Sequence, residues 1–122
     1  MLFETRYFWA RFTPSDPDDM KKLRSLFERA RERLVSSVTI FEIFKLSMER
    51  EGKDVAELRA SAILNDFEVV PVDAEIAREG GRLGARLKIP LADALIMATA
   101  MRLRLACVTD DPHYTEVKKV WV

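Results

Sequence analysis

Asp93 is the one charge in the run Ile89-Pro90-Leu91-Ala92-Asp93-Ala94-Leu95-Ile96-Met97-Ala98-Thr99-Ala100-Met101. A helix this apolar is buried, and an ionised carboxylate on it is costly unless paired, hydrogen-bonded or coordinated to a metal. The plainer role is a first-turn acid after Pro90 that complements the helix dipole near the surface. Glu42 is also ringed by apolar residues, in Ser37-Val38-Thr39-Ile40-Phe41-Glu42-Ile43-Phe44, and Thr39-x-x-Glu42 has the form of a capping box. Asp110 and Asp111 directly follow Leu105-Ala106-Cys107-Val108-Thr109, a predicted buried strand, where Asp-Asp-Pro would also suit a surface turn. Glu4 closes the opening Leu2-Phe3 stretch and reads otherwise as an exposed acid near a terminus.

These acids share one placement: each ends a predicted strand or opens the helix that follows. Parallel α/β sheets bind ligands at that edge. Carboxylates gathered there repel one another and need bound cations, and all-oxygen ligation favours Mg²⁺ or Mn²⁺ over zinc or copper. Such a site suits phosphodiester hydrolysis, with the metal activating water and stabilising the leaving oxygen, and no side-chain nucleophile is required. The sole histidine, His113, lies in Asp111-Pro112-His113-Tyr114 and is expected to be an exposed loop residue within reach of RNA, without a catalytic role.

The elements that must hold these residues follow from periodicity and punctuation. Residues 1–4 read as a short strand, and Tyr7-Phe8-Trp9-Ala10-Arg11-Phe12 as either strand end or helix. Thr13-Pro14-Ser15-Asp16-Pro17 is a break, with Asp16 and Pro17 as N-cap and first residue of a helix to about Arg33 carrying Leu23, Leu26, Phe27 and Ala30 inward. A strand over 34–37 precedes a helix over 39–50 with Ile40, Ile43, Phe44 and Leu46 inward, closed by Gly52. A helix from Asp54 to about Asp66, a strand over 67–72 and an Asp73-capped helix to about Lys88 come next. Gly80, Gly81 and Gly84 interrupt that last helix but permit close packing on a neighbour. A helix over 91–104, a strand over 105–109 and a final strand over 117–122 complete the chain. Strands separated by helices predict a parallel sheet covered on both faces, a three-layer α/β/α sandwich.

Composition narrows the function. The 122 residues suit a single domain, and 48% apolar with 33% charged residues describes a globular chain with a substantial core. Twenty basic residues balance twenty acidic ones, so nucleic-acid binding must rely on a local patch. Arg6, Arg11, Lys45, Arg82 and Arg86 are the candidates, by closeness in sequence to the acids or placement on an adjoining helix. The lone Cys107 excludes a disulfide framework or zinc site and is expected in the core. Phe8, Trp9, Phe12 and Met48 are also expected there, with a dimer or partner-binding face as the alternative. No run reaches the roughly 18 apolar residues of a membrane span, and the start lacks a signal-peptide layout, so a cytoplasmic location is expected.

Three segments together resemble the PIN-domain ribonuclease family, especially the VapC-type toxins of toxin–antitoxin pairs: Val35-Ser36-Ser37-Val38-Thr39-Ile40-Phe41-Glu42-Ile43, Pro90-Leu91-Ala92-Asp93-Ala94-Leu95-Ile96-Met97-Ala98-Thr99-Ala100, and Cys107-Val108-Thr109-Asp110-Asp111-Pro112-His113-Tyr114. The resemblance implies a divalent-metal-dependent endoribonuclease using Mg²⁺ or Mn²⁺, a homodimer, and often a small antitoxin partner. Carried over by position, it makes Glu42, Asp93 and Asp111 the second, third and fourth acids, with Thr109 beside the last and Asp110 as its alternative. The first acid, normally Asp followed by Thr or Ser, is Glu4 in Leu2-Phe3-Glu4-Thr5, longer by one methylene. A metal ligand displaced by over an ångström weakens a site, so a degenerate PIN-like domain that binds RNA or protein without cutting is the alternative. A phosphoryl-accepting receiver-like domain fits poorly, because it expects paired acids after the first strand and a Lys after the last.

Overall fold

Side chains alternate across the strands, and the alternation sorts them into two cores. Leu2, Leu34 and Cys107 face one way and Phe3, Val35 and Val108 the other, as the two-residue period of a strand requires. On the first face they pack with Ile76, Leu83, Ala94, Ile96, Met97 and Tyr114; on the second, with Tyr7, Phe8, Leu23, Leu26, Ile43 and Ile63. A sheet buried on both faces needs two helical layers, which is the predicted three-layer α/β/α sandwich.

The computed structural model describes residues 1–13 and 16–121, so Pro14, Ser15 and Val122 of the predicted break and final strand lie outside the described residues. The elements are β1 (Leu2–Phe3), α1 (Thr5–Phe12), α2 (Pro17–Arg29), β2 (Leu34–Ser36), α3 (Ser37–Glu51), α4 (Lys53–Asp66), β3 (Glu68–Val70), α5 (Ala74–Leu87), α6 (Leu91–Leu103), β4 (Cys107–Val108) and β5 (Lys119–Val120). All pairings are parallel, in the order β3-β2-β1-β4-β5. The chain runs outward from β1 through β2 to β3, then crosses to β4 on the other side of β1. The order therefore reverses between β1 and β4, and the crevice beyond their carboxyl ends is the expected place for a ligand.

Local chemistry sets the boundaries. The aromatic segment after β1 is helical, and Glu4 caps it by accepting from the Arg6 amide at 3.1 Å. Asp16 caps α2 as expected, accepting from the Asp18 amide at 2.8 Å, but α2 ends at Arg29 rather than near Arg33. Helix α3 starts two residues earlier than expected, because Ser36 is its N-cap and accepts from the Val38 amide at 3.1 Å. Gly52, at φ 90°, both ends α3 and precedes α4. A Cβ on Gly80 would lie 2.8 Å from Leu95 Cδ2, so the predicted close approach is made between α5 and α6.

Buried aromatic and apolar residues hold the second core, with Phe67 meeting Phe3 and Phe8 edge-on at centroid separations of 5.1 and 4.8 Å. Arg59, 8% exposed, joins three helices of this layer by donating to Ser47 Oγ on α3 at 3.0 Å, to Glu51 at 2.8 Å and to the Phe12 carbonyl of α1 at 3.5 Å. Cys107 lies in the first core, and burial pushes its thiol up to about 12. Phe8 is buried, whereas Met48 is 42% exposed and does not belong to the core. Helix α6 is buried through its middle, but its terminal Leu91 and Leu103 face solvent. Among the described residues no helix is long and apolar enough to cross a membrane.

Candidate metal centre

Asp93 and Asp111 come within ligand spacing of each other at the carboxyl edge of the sheet, and Glu4 and Glu42 lie near enough to feel the charge of both but outside that spacing, each acid brought by a different element. Glu4 follows the central strand and is only 2% exposed, so its position is set by β1 rather than by solvent. Its backbone amide donates to the Val108 carbonyl of β4 at 3.3 Å, and the nearby Thr109 hydroxyl favours the charged form of its carboxylate. Burial, above all, pushes the Glu4 carboxyl up to about 7, and the negative charges of Asp93 and Asp111 add to the rise. The surface-acid reading of Glu4 is excluded by that burial.

Glu42 comes from the second turn of α3. The expected capping box is absent, since Ser36 and not Thr39 is the N-cap and Glu42 lies beyond the helix's free amides. Instead Glu42 Oε1 accepts from Thr5 Oγ1 at 2.6 Å, and Thr5 Oγ1 is 3.2 Å from Thr39 Oγ1. The Glu42 carboxyl is raised from its ordinary value by burial and by Asp93 and Asp111, with the Thr5 hydrogen bond opposing the rise. The same two acids raise both glutamates, so each glutamate lies within electrostatic reach of Asp93 and Asp111.

Asp93 opens α6, where the positive end of the helix dipole meets its charge. The dipole role is therefore present, but the side chain is not near the surface in any ordinary way: it is 15% exposed and has two partners. Oδ1 accepts from the Tyr114 hydroxyl at 3.3 Å and Oδ2 lies 2.7 Å from His113 Nδ1. Asp111 follows β4; its amide donates to Thr109 Oγ1 at 3.0 Å and its Oδ1 accepts from the His113 amide at 2.8 Å, an Asx-type turn that fixes the carboxylate.

Asp110 points elsewhere. Its two oxygens take the Arg6 fork, Oδ1 from Nε at 2.5 Å and Oδ2 from Nη2 at 3.3 Å, so the geometry favours Asp111 over Asp110 as the fourth acid of the cluster. His113 departs from expectation: 46% of its side chain is exposed, yet Nδ1 reaches Asp93 at 2.7 Å and Asp111 at 3.2 Å. Thr5 and Tyr114 are two further site residues that sequence reasoning passed over. Tyr114 is fully buried, and burial raises its phenol well above the usual range, which keeps it a hydrogen-bond donor to Asp93. The only sequence signal for either was adjacency to a candidate acid.

The donor set fits a hard divalent cation. Asp93 and Asp111 offer carboxylate oxygens at ligand spacing, and Glu4 is buried nearby with no basic side chain paired to it among the described residues, a charge that a cation would compensate. Of the basic candidates, Arg6 adjoins the acids, while Lys45 pairs with Glu49 and Arg86 with Glu116. Arg82 pairs with Glu79 and lines a hollow with Arg102 and Arg104.

A family model described as the PIN domain matches residues 4–120. Comparison with curated protein sequences finds no match. Among solved structures the chain is similar to VapBC2 from Rickettsia felis, bound to a DNA fragment from its promoter, with TM-score 0.78 and 16% identity over 98% of this chain and 96% of that one. It is also similar to a toxin–antitoxin complex from Klebsiella pneumoniae, with TM-score 0.76 and 22% identity over 98% and 94%. A third is VapC20 of Mycobacterium tuberculosis, a Sarcin-Ricin loop cleaving toxin, with TM-score 0.78 and 17% identity over 93% and 92%.

Proposed function

The chain belongs to the PIN-domain family, and from that premise we propose that it is a divalent-metal-dependent endoribonuclease, the toxin of a VapBC-type pair. The observation that carries the reading is the pairing of Asp93 with Asp111 at ligand spacing, with Glu4 and Glu42 within reach of their charge and each carboxylate accepting from a hydroxyl or amide donor. We assign these four as the residues that hold Mg²⁺ or Mn²⁺.

When bound, a cation of this kind supplies the Lewis acidity that makes water nucleophilic near neutral pH and steadies the departing oxygen of a phosphodiester. The chain's own residues prepare for that chemistry. Thr5 aims Glu42, Tyr114 aims Asp93, and the Thr109 hydroxyl accepts from the Asp111 amide beside Glu4. Fixing ligands in this way lowers the reorganisation needed when the cation binds. Arg6, held by Asp110 on the rim, is positioned to contact a substrate phosphate. A groove lined by Arg6, Trp9, Arg50 and Trp121 leads away from Thr5 and combines cationic with aromatic surface, the combination single-stranded nucleic acid uses.

The named structural relatives include toxin–antitoxin complexes, which supports an antitoxin as partner. Cytoplasmic RNA is the substrate class that follows. The reading is tested by incubating purified protein with a labelled mixed RNA pool in Mg²⁺, Mn²⁺ or EDTA, with Asp93→Asn as control. Inducible expression with and without a neighbouring antitoxin gene product tests the toxin role.

A further inference from the structure

The acidic cluster contains one group that is not an acid. His113 Nδ1 lies 2.7 Å from Asp93 Oδ2 and 3.2 Å from Asp111 Oδ1, and one ligand atom from each of the three residues falls within 4.8 Å of the others. Adjacent ligands on an octahedral ion, each about 2.1 Å from it, stand about 3.0 Å apart. The two His113 separations bracket that value, so they are compatible with adjacent ligands on one ion as well as with hydrogen bonds.

Several features hold the ring there. The His113 amide donates to Asp111 Oδ1 at 2.8 Å, so the same turn that orients Asp111 brings the imidazole back over it. Tyr114, the next residue, is fully buried and donates to Asp93 Oδ1 at 3.3 Å, which leaves Oδ2 as the oxygen facing His113. One loop therefore supplies Asp111, His113 and the residue that orients Asp93.

We propose that His113 contributes an imidazole nitrogen to the cation held by Asp93 and Asp111, making the centre a mixed nitrogen and oxygen site. The proposal rests on the metal-site reading above and adds a consequence for metal choice. Magnesium keeps to oxygen ligands and its own waters, whereas manganese, as a transition metal, accepts an imidazole nitrogen more readily. His113 should therefore favour Mn²⁺ over Mg²⁺, beyond what four carboxylates would do.

His113 is the only histidine in the chain, so in protein freed of any affinity tag an imidazole nitrogen bound to Mn²⁺ has a single source. The test is pulsed electron paramagnetic resonance on the full-length protein loaded with Mn²⁺. The expected result is ¹⁴N modulation of the imidazole type in the parent, absent in His113→Ala. A parallel titration should show Mn²⁺ affinity lowered at least about tenfold in His113→Ala, with a smaller change for Mg²⁺. Because His113 is half exposed, the variant should fold, which circular dichroism and Tm verify.

Bound Mn²⁺ lost in Asp93→Asn, but without ¹⁴N modulation in the parent, would overturn the assignment of His113 and leave the carboxylate site standing. An absence of Mn²⁺ binding in the parent would overturn both.

Discussion

Thr5 Oγ1 donates to Glu42 Oε1 at 2.6 Å across 37 positions of sequence, joining the helix after the first strand to the helix after the second. The contact fixes a carboxylate that would otherwise swing on a flexible side chain, and it lowers a carboxyl that burial raises. Thr5→Val, which keeps the shape and removes the donor, is expected to weaken Mn²⁺ binding by about 10- to 100-fold. Thr5→Ser should retain most of the affinity. Isothermal titration of both variants checks this, and equal affinities would show that Glu42 needs no such orientation.

Asp110 and Asp111 are adjacent but have different partners. Asp110 is occupied by Arg6, whereas Asp111 adjoins Asp93 and His113. Asp110→Asn should leave Mn²⁺ affinity within about threefold and alter stability by no more than about 1 kcal/mol, because the ion pair is half exposed. Asp111→Asn should lower affinity far more. The reverse ranking by titration would move the fourth acid to Asp110.

Glu4 makes metal-free stability depend on pH. Its folded carboxyl lies at about 7 against an ordinary 4.5, so between those values the native state binds more protons than the unfolded state. Stability from this group is complete below about pH 4.5 and is lost as pH rises through 7, by about 3 kcal/mol in all. In EDTA, Glu4→Gln should therefore gain stability relative to the parent as pH is raised from 4.5 to 8. Urea denaturation at several pH values measures the difference. A constant difference across that range would mean that Glu4 is not held out of water.

Neighbouring glycines of α5 should respond oppositely to alanine. At Gly81 a Cβ meets nothing within 4 Å, so Gly81→Ala is expected to stabilise by about 1 kcal/mol through helix propensity. At Gly80 the Cβ would press on Leu95 from 2.8 Å, and the same gain should be offset or exceeded by crowding of about 1 to 3 kcal/mol. Thermal denaturation of the pair distinguishes them, and equal gains would indicate a loose α5–α6 contact.

Much of this arrangement was legible in the chain because burial leaves a local pattern. Asp93 stood out as a charge in an apolar helix, and the strand–helix alternation implied one edge for the acids. The four acids lie near one another in the structure, while their catalytic and metal-binding roles remain the proposal tested below. Boundaries were less legible where adjacent residues compete for one role: Ser36, Ser37 and Thr39 can all cap a helix, and packing selects Ser36. His113, Thr5 and Tyr114 were not legible as site residues, because their importance depends on contacts with residues 20 to 37 positions away that carry no local periodicity.

The decisive measurement is cleavage of a labelled RNA pool by tag-free protein, parent beside Asp93→Asn, in Mg²⁺, in Mn²⁺ and in EDTA. Cutting by the parent in either metal, abolished by EDTA and lowered at least about 100-fold in Asp93→Asn, is the expected result, since removing one ligand from a metal-assisted hydrolase removes most of its transition-state charge stabilisation. Cutting that survives EDTA or the substitution, or no cutting in any metal, would contradict it.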